Sequence, residues 1–209
     1  MRARKLWILL VAALPLLGAA QPDERVVKPE IRVGDSWTYR SSNLLAPGTD
    51  EQQTRVSFVS DKAILVVSTL KSSGKEFDSS WTLEWNAVTS HSGLIFRPHS
   101  GLFRFPLRVG DKYGASYDLL QPKVNTILNT ASHEVTAVAW ETIEVPAGKF
   151  RVIRLEQEAR IEAADGSNAY QVKGTYWYSP DVRRWVKFQL TAPKVTFSEE
   201  LLTYKLNEN

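Results

Sequence analysis

The chain of 209 residues contains no cysteine. This excludes disulfide bonds, thiolate catalysis and metal sites built on cysteine. It also excludes the lipid-attachment box of bacterial lipoproteins, which needs a cysteine at the cleavage point. Such a chain must be held together by its hydrophobic core, and a content of 43% hydrophobic residues is enough to build one at this length.

Histidine is scarce, and familiar catalytic motifs are missing. His91 and His99 lie in a stretch rich in glycine and proline, and their spacing matches no established metal-ligand pattern. We interpret them as loop histidines at the surface. The third histidine, His133, stands alone. The sequence has no G-x-S-x-G motif and no convincing S-x-x-K motif, so we expect no catalytic residue, no metal site and no cofactor.

One pair of carboxylates could suggest glycoside hydrolysis, which uses two carboxyl groups around the scissile bond. Glu156 and Glu158 alternate with Arg154 and Arg160 on one face of a predicted strand. Charged side chains of both signs in this pattern are typical of a solvated strand face with cross-strand ion pairs. We favour that interpretation over a catalytic pair.

The N-terminal segment has the three parts of a secretory signal peptide. Its basic residues are followed by an apolar run that is too short to span a bilayer and then by small residues: Arg2, Arg4 and Lys5, then 6–17, then Gly18-Ala19-Ala20. We predict cleavage of residues 1–20 between Ala20 and Gln21, which would leave no transmembrane anchor. The mature protein would be periplasmic or secreted.

The same segment explains the positive charge of the chain. The full sequence has 26 lysines and arginines against 23 aspartates and glutamates. Three of the basic residues lie in 1–20, which has no acidic residue, so 26 − 3 = 23 basic residues balance 23 acidic residues after cleavage. A neutral mature chain gives no electrostatic support for nucleic-acid binding.

Beyond a polar leader at 21–30, the pattern predicts one β domain over 31–209. Short extended segments alternate with turn signals, and no window holds a convincing amphipathic helix. The expected fold is all-β: a strongly curved antiparallel sheet of about ten strands, built as an open half-barrel or as a barrel-like or sandwich-like arrangement.

Three segments carry specific expectations. The apolar run Ala63–Val67 predicts a central strand buried on both faces. Alternation of Trp81, Leu83, Trp85 and Ala87 with polar residues predicts a strand with an aromatic inner face. The turn Pro146-Ala147-Gly148 predicts a hairpin between 134–145 and 149–163, closed by a three-residue loop with a left-handed glycine.

A short motif occurs twice. Ile31-Arg32-Val33-Gly34-Asp35 and Leu107-Arg108-Val109-Gly110-Asp111 are each followed by aromatic residues. We interpret Gly34, Asp35, Gly110 and Asp111 as structural turn residues, like Pro146 and Gly148. The echo also suggests two related meander halves, 31–106 and 107–209.

Several motifs taken together resemble a known family. VGDSWTY, FPLRVGDKY, EVPAGKF and TYWYSPDVRRWVKF, in this order, with the closing EELLTYKL, are similar to bacterial envelope proteins classed as domain of unknown function 3108. The resemblance covers nearly all of the mature chain. It implies a secreted, curved antiparallel sheet like those of periplasmic lipid carriers, and it implies no enzymatic activity. Tyr113 departs from the family, in which a tryptophan more often follows the central Gly-Asp pair.

The aromatic residues are the remaining functional signal. Trp81, Trp85, Tyr176 and Tyr178 lie in predicted strands and could either fill the core or line an apolar ligand cavity in a curved sheet. The leading expectation is a non-catalytic binding or carrier module for an apolar, lipid-like ligand or for an envelope protein. The alternatives are an outer-membrane β-barrel, a scaffolding subunit that uses strand addition, and a hydrolase with a dispersed site.

Overall fold

The computed structural model describes residues 24–43, 48–122 and 124–208, so the predicted signal peptide lies outside the described residues. The described residues contain no α-helix, and none forms a helix able to cross a membrane. Antiparallel strands account for most of them: β1 Ser36–Asn43, β2 Thr49–Val59, β3 Ile64–Leu70, β4 Glu76–Trp81, β5 Ala87–Thr89, β6 Ile95–Arg97, β7 Lys112–Leu120, β8 Ile127–Val145, β9 Gly148–Ala163, β10 Ala169–Ser179, β11 Arg184–Ala192 and β12 Val195–Lys205.

The strands form a closed barrel in sequence order, and β1 pairs with β12 to close it. The predicted all-β, barrel-like class is therefore confirmed. The described residues form twelve strands where about ten were expected. The additional strands include β5 and β6, each of three residues. β6 lies in the stretch 91–106, whose glycines and prolines exclude a long regular element.

The predicted hairpin is β8 and β9, the two longest strands. Its loop is shorter than expected, because Val145 pairs with Gly148 and only Pro146 and Ala147 remain unpaired. Gly148 has a φ of 131°, which is positive but lies beyond the left-handed helical region.

The two ends of the barrel differ in how they are filled. We call the end where β1 begins and β12 ends the closed end, and the opposite end the mouth. Inward-facing side chains near the closed end are fully buried, as Trp37 and Leu201 are, both 0% exposed. Toward the mouth the inward positions of the same strands, Ser41 and Phe197, are partly exposed. The interior is therefore packed at one end and accessible at the other.

Loops complete the packing of the closed end. The connection between β6 and β7, residues 98–111, carries Leu102 and Phe103 into the core at 7% and 2% exposure. Val26 forms an isolated bridge with Leu107 and is also buried. Part of the predicted polar leader therefore packs against the barrel, because Val26 gives it an apolar anchor.

Two local expectations were wrong. Leu65 is 43% exposed while Ile64 and Val66 are buried, so β3 buries one face only, as a barrel wall does. Strand β4 ends at Trp81, and Trp85 lies in a turn with a φ of 60°. Trp85 still reaches the core because the turn at 82–86 folds over the closed end.

The repeated motif forms the same turn twice. Gly34 and Gly110 have φ values of 90° and 92°, a region open to glycine at little cost. In each turn the aspartate N–H donates to the carbonyl of the arginine three residues earlier, and the aspartate carboxylate accepts from the N–H of that arginine. The turns precede β1 and β7, which lie on opposite sides of the barrel.

Candidate functional site

An aromatic cluster fills the closed end of the barrel. Trp185 of β11 lies within 6.5 Å, centroid to centroid, of rings from other strands and loops. Its contact with Trp81, at 6.0 Å, joins strands on nearly opposite walls. The members are Trp37, Tyr39, Trp81, Trp85, Phe103, Tyr176, Tyr178 and Trp185. Dispersion and ring-edge contacts among these residues stabilise the wall-to-wall packing.

A charged residue lies inside this cluster. Arg184 is 4% exposed, and its Cζ atom lies 4.3 Å from the ring centroid of Trp185 and 4.6 Å from that of Trp85. The rings of Trp37, Tyr39 and Trp81 lie within 5.7 Å. Nε and Nη1 of Arg184 are buried and have no hydrogen-bond partner among the described residues. Burial lowers the pKa of the guanidinium because it disfavours the charged form.

The polar atoms of three surrounding rings donate to backbone carbonyls and form no hydrogen bond with Arg184. Trp37 Nε1 donates to the carbonyl of Val182 at 3.0 Å, and Trp85 Nε1 donates to that of Arg183 at 2.8 Å. Tyr39 Oη donates to the carbonyl of Trp185 at 2.7 Å. These bonds fix the segment 182–185, and with it the position at which the Arg184 side chain enters the core.

Glu199 is an acidic residue inside the barrel whose negative charge acts on Arg184. It occupies the inward position of β12 that follows Leu201 toward the mouth, opposite Ser41 of β1. Burial raises the pKa of Glu199, while the positive charge of Arg184 and a 3.4 Å bond from Trp185 Nε1 oppose that rise. Within the described residues no ion pair joins the two groups.

A second set of buried polar groups lies across the interior. His133 Nδ1 lies 2.7 Å from Gln157 Nε2, and His133 Nε2 lies 3.3 Å from the carbonyl oxygen of Gly101. Tyr176 Oη donates to Gln157 Oε1 at 3.4 Å. Burial lowers the pKa of His133, so the neutral imidazole is favoured. These bonds tie β8, β9 and β10 to the loop 98–111.

A row of rings leads from the mouth toward the cluster. An open recess of about 310 Å³ lies at the mouth, and Phe197 forms part of its wall together with Ser41 and Asp50. Phe197 contacts Phe188 at 6.1 Å, and Phe188 stacks on Tyr176 at 4.5 Å. Tyr176 in turn contacts Trp185. A chain of ring contacts thus links the recess to Trp185, whose ring lies against the buried arginine.

The predicted ligand-lining residues are all members of the cluster. Trp85 and Tyr178 are 0% and 1% exposed and Tyr176 is 8% exposed, while Trp81 is partly exposed. Tyr176 belongs both to the cluster and to the row of rings from the mouth. The lining role of the four residues stays a prediction.

The other singled-out residues lie apart from this site. His91 is exposed and contacts the ring of Phe77, and His99 Nδ1 accepts a bond from the N–H of Gly101. Among the described residues no group of three or more histidine and acidic side chains could hold a metal ion. Glu156 and Glu158 are exposed on the outer wall, where they pair with Arg154 and Lys173.

The sequence pattern did not predict the burial of two polar residues, Arg184 and His133. Arg184 follows another arginine at a turn, which is typical of a surface position, and the register shift beside Tyr178 is not visible in the sequence. One sequence feature indicates the burial of His133: it falls on the same period-2 face of β8 as Ala131 and Val135, which are both buried.

No protein-family model matches the chain. No curated protein matches it either, and the resemblance to domain of unknown function 3108 therefore stays a prediction.

Three solved structures are similar to the chain. A candidate lipoprotein from Parabacteroides distasonis is 13% identical, with a TM-score of 0.52 over 87% of this chain and 100% of that chain. A candidate exported protein with a YmcC-like fold from Bacteroides fragilis is 12% identical, with a TM-score of 0.44 over 86% of this chain and 99% of that one. The hypothetical lipoprotein YmcC from Escherichia coli is 11% identical, with a TM-score of 0.47 over 84% and 86%. The first of these shows a shared fold.

Proposed function

We propose that the protein is a non-catalytic binding module of the bacterial envelope that holds an apolar, lipid-like molecule in the mouth of its barrel. The observation that carries this proposal is the row of rings Phe197, Phe188 and Tyr176, which leads inward from the recess. Partly exposed aromatic side chains on an inner wall, as Phe197 and Phe188 are, favour an apolar ligand because binding removes their surface from water.

Two further observations support the location. The N-terminal segment predicts export, and the barrel shares its fold with a candidate lipoprotein. The proposal assigns no catalytic residue. A protein partner is the second candidate; however, each strand of the described barrel pairs on both sides, which leaves strand addition little free edge.

The test is expression of the full chain with its own N-terminal segment in a bacterium, followed by osmotic shock and native mass spectrometry. We expect release with the periplasmic fraction and a co-purifying apolar adduct. Retention in the outer membrane would support the membrane-barrel alternative, and a co-purifying protein would support the partner alternative. Either result would overturn the proposal.

A substitution on the inner wall sharpens the test. Phe197→Ser should weaken binding of the fluorescent apolar probe N-phenyl-1-naphthylamine about tenfold, because one large ring contributes roughly 1–2 kcal/mol of burial. The matched control is Phe58→Ser, since Phe58 is 51% exposed in β2, away from the row of rings. Equal affinities of the two variants for the probe would count against the mouth as the site.

A further inference from the structure

We propose that the ligand is an amphipathic anion, a carboxylate or phosphate monoester on an apolar chain, and that Arg184 recognises its charged group. This inference rests on the proposed function and names the chemical class of the ligand. It is carried by a buried cation whose Nε and Nη1 atoms lack acceptors among the described residues, at the inner end of the row of rings.

The burial of Arg184 is the first step. At 4% exposure its guanidinium has lost almost all of its hydration, which is costly for a charge unless another group compensates it. Nε and Nη1 have no hydrogen-bond partner in the described part of the chain. The guanidinium fork matches the two oxygens of a carboxylate or phosphate, which bind such donors in pairs.

The rings around Arg184 do not replace an anion. They lie 4.3 to 5.7 Å from its Cζ atom and attract the positive charge through their faces. Their polar atoms do not accept from it: the indole N–H groups of Trp37 and Trp85 can only donate, and Tyr39 Oη donates to the carbonyl of Trp185. The cluster therefore stabilises the cation but gives no hydrogen-bond acceptor to its Nε and Nη1 atoms.

The neighbouring arginine shows the contrast. Arg183 is partly exposed, and its Nη1 atom lies 3.4 Å from Asp35 Oδ2, a carboxylate that is itself fully buried. The two adjacent arginines thus differ in one respect that matters for binding: Arg183 has an internal counter-ion within 4 Å, and none is found for Arg184 among the described residues.

A chain of ring contacts connects the mouth with the surroundings of Arg184. The row of rings runs from Phe197 in the recess to Trp185, whose centroid lies 4.3 Å from Arg184 Cζ. An apolar chain lying on these rings would place its head group near the guanidinium and its tail toward the recess. Two acidic side chains lie along these contacts: Asp50 lines the recess, and Glu199 lies deeper. Burial raises the pKa of Glu199, which favours uptake of a proton when a second negative charge arrives.

The experiment compares matched ligands on the full chain purified from the periplasm. Palmitate, hexadecyl phosphate and hexadecan-1-ol share one tail length and differ in charge; acetate and inorganic phosphate carry the charge without the tail. Isothermal titration calorimetry and tryptophan fluorescence report binding. We expect each of the two long-chain anions to bind at least tenfold tighter than the alcohol, and the short anions to bind at least a hundredfold more weakly than the long ones.

Substitutions assign the effect to one residue. Arg184→Met should cut the affinity for palmitate at least tenfold and leave the affinity for hexadecan-1-ol unchanged. Arg184→Lys should keep part of the preference, because it keeps the charge but not the fork. Arg183→Met is the matched control and should leave the preference intact. If Arg184→Met does not fold, the ligand comparison on the unmodified chain and on Arg184→Lys decides.

The other outcomes separate the two proposals. Equal binding of palmitate and hexadecan-1-ol would overturn the role of Arg184 and leave the apolar binding function standing. Absence of binding by all long-chain probes would overturn the binding function itself. Binding of acetate or phosphate as tight as that of palmitate, and lost in Arg184→Met, would show a simple anion site and would overturn the amphipathic ligand.

Discussion

Asp35 and Asp111 hold the same place in two copies of one turn, yet they have different surroundings. The carboxylate of Asp35 is fully buried and accepts bonds from the N–H of Arg32, the N–H of Asn207 and Nη1 of Arg183. That of Asp111 is partly exposed and accepts from the N–H of Arg108. Asp35 thereby links Arg32 and Asn207 to Arg183 in the turn before β11.

This difference predicts unequal costs of the same substitution. Asp35→Ala should lower the free energy of unfolding by about 3 kcal/mol, because it leaves several donors around this buried position without an acceptor. Asp111→Ala should cost about 1 kcal/mol, since water can replace its carboxylate. Urea unfolding of both variants measures the two values, and equal losses would show that the turn itself, and not the buried network, needs the aspartate.

His133 predicts a pH dependence with a definite sign. Burial lowers its folded-state pKa below the ordinary value of about 6.5, so the unfolded chain takes up a proton before the folded chain does. Its contribution to stability is complete above about pH 6.5 and is lost as the pH falls toward the folded pKa. Glu199 acts in the opposite direction because its pKa is raised.

The effect of His133 is therefore measured as a difference. The unmodified protein should lose more stability between pH 7 and pH 5 than His133→Gln does, in urea unfolding at each pH. The control is His91→Gln, which removes an exposed histidine and should follow the unmodified protein. Parallel curves for all three proteins would mean that His133 is protonated equally in the folded and unfolded states.

At the scale of elements, the sequence predicted strands well where alternation was regular. The inward face of β10, with Tyr176 and Tyr178, follows directly from period-2 spacing. Period-2 spacing wrongly predicted a strand at Trp85. This residue lies in a turn after the end of β4, and the turn carries its side chain into the core. Burial of Arg184 could not be predicted, since it depends on a register shift in β10–β11 and on ring contacts from distant strands.

The loop 98–111 is the element that closes one end of the barrel, and Gly101 is its tightest point. Its φ is 64°, and an added Cβ would collide with the Cβ of Ala115 in β7. Gly166 has a similar φ of 71° with no atom within 4 Å. Gly101→Ala should therefore cost about 3 kcal/mol, from strain plus a clash, and Gly166→Ala about 1 kcal/mol, from strain alone.

Thermal unfolding of the two glycine variants measures the difference. Because the carbonyl of Gly101 also bonds His133, the larger loss should come with a change in the near-ultraviolet signal of the buried aromatic cluster. Equal midpoints would indicate that the loop moves away from β7 at little cost and does not act as a fixed plug.

At the scale of the whole molecule, the C-terminal end of the described chain lies beside the turn that precedes β1. The N–H of Asn207 donates to Asp35, and Arg32 Nη1 donates to the carbonyl of Asn207. A circular permutant that joins residues 24 and 208 through a flexible linker of about eight residues, and opens at Gly166, should keep the barrel. Gly166 lies in an exposed turn at the mouth.

A second permutant provides the control. Opening between Pro146 and Ala147 cuts the tight loop of β8–β9, where the N–H of Ala147 donates to the carbonyl of Leu201. We expect this permutant to be less stable than the first by about 2 kcal/mol, because the cut frees buried backbone near Val145. Urea unfolding monitored by circular dichroism compares them, and the reverse order would contradict the closed-end packing.

The pairing of β1 with β12 also sets the order of folding. Ser36 pairs with Lys205, so the barrel cannot close until β12 is available to pair with β1. Local hairpins such as β8–β9 can form early, while this seam must wait for contacts across the full sequence. A chain threaded through a translocation channel from its N-terminus would therefore stay incompletely folded until β12 emerged, as passage through a narrow channel requires.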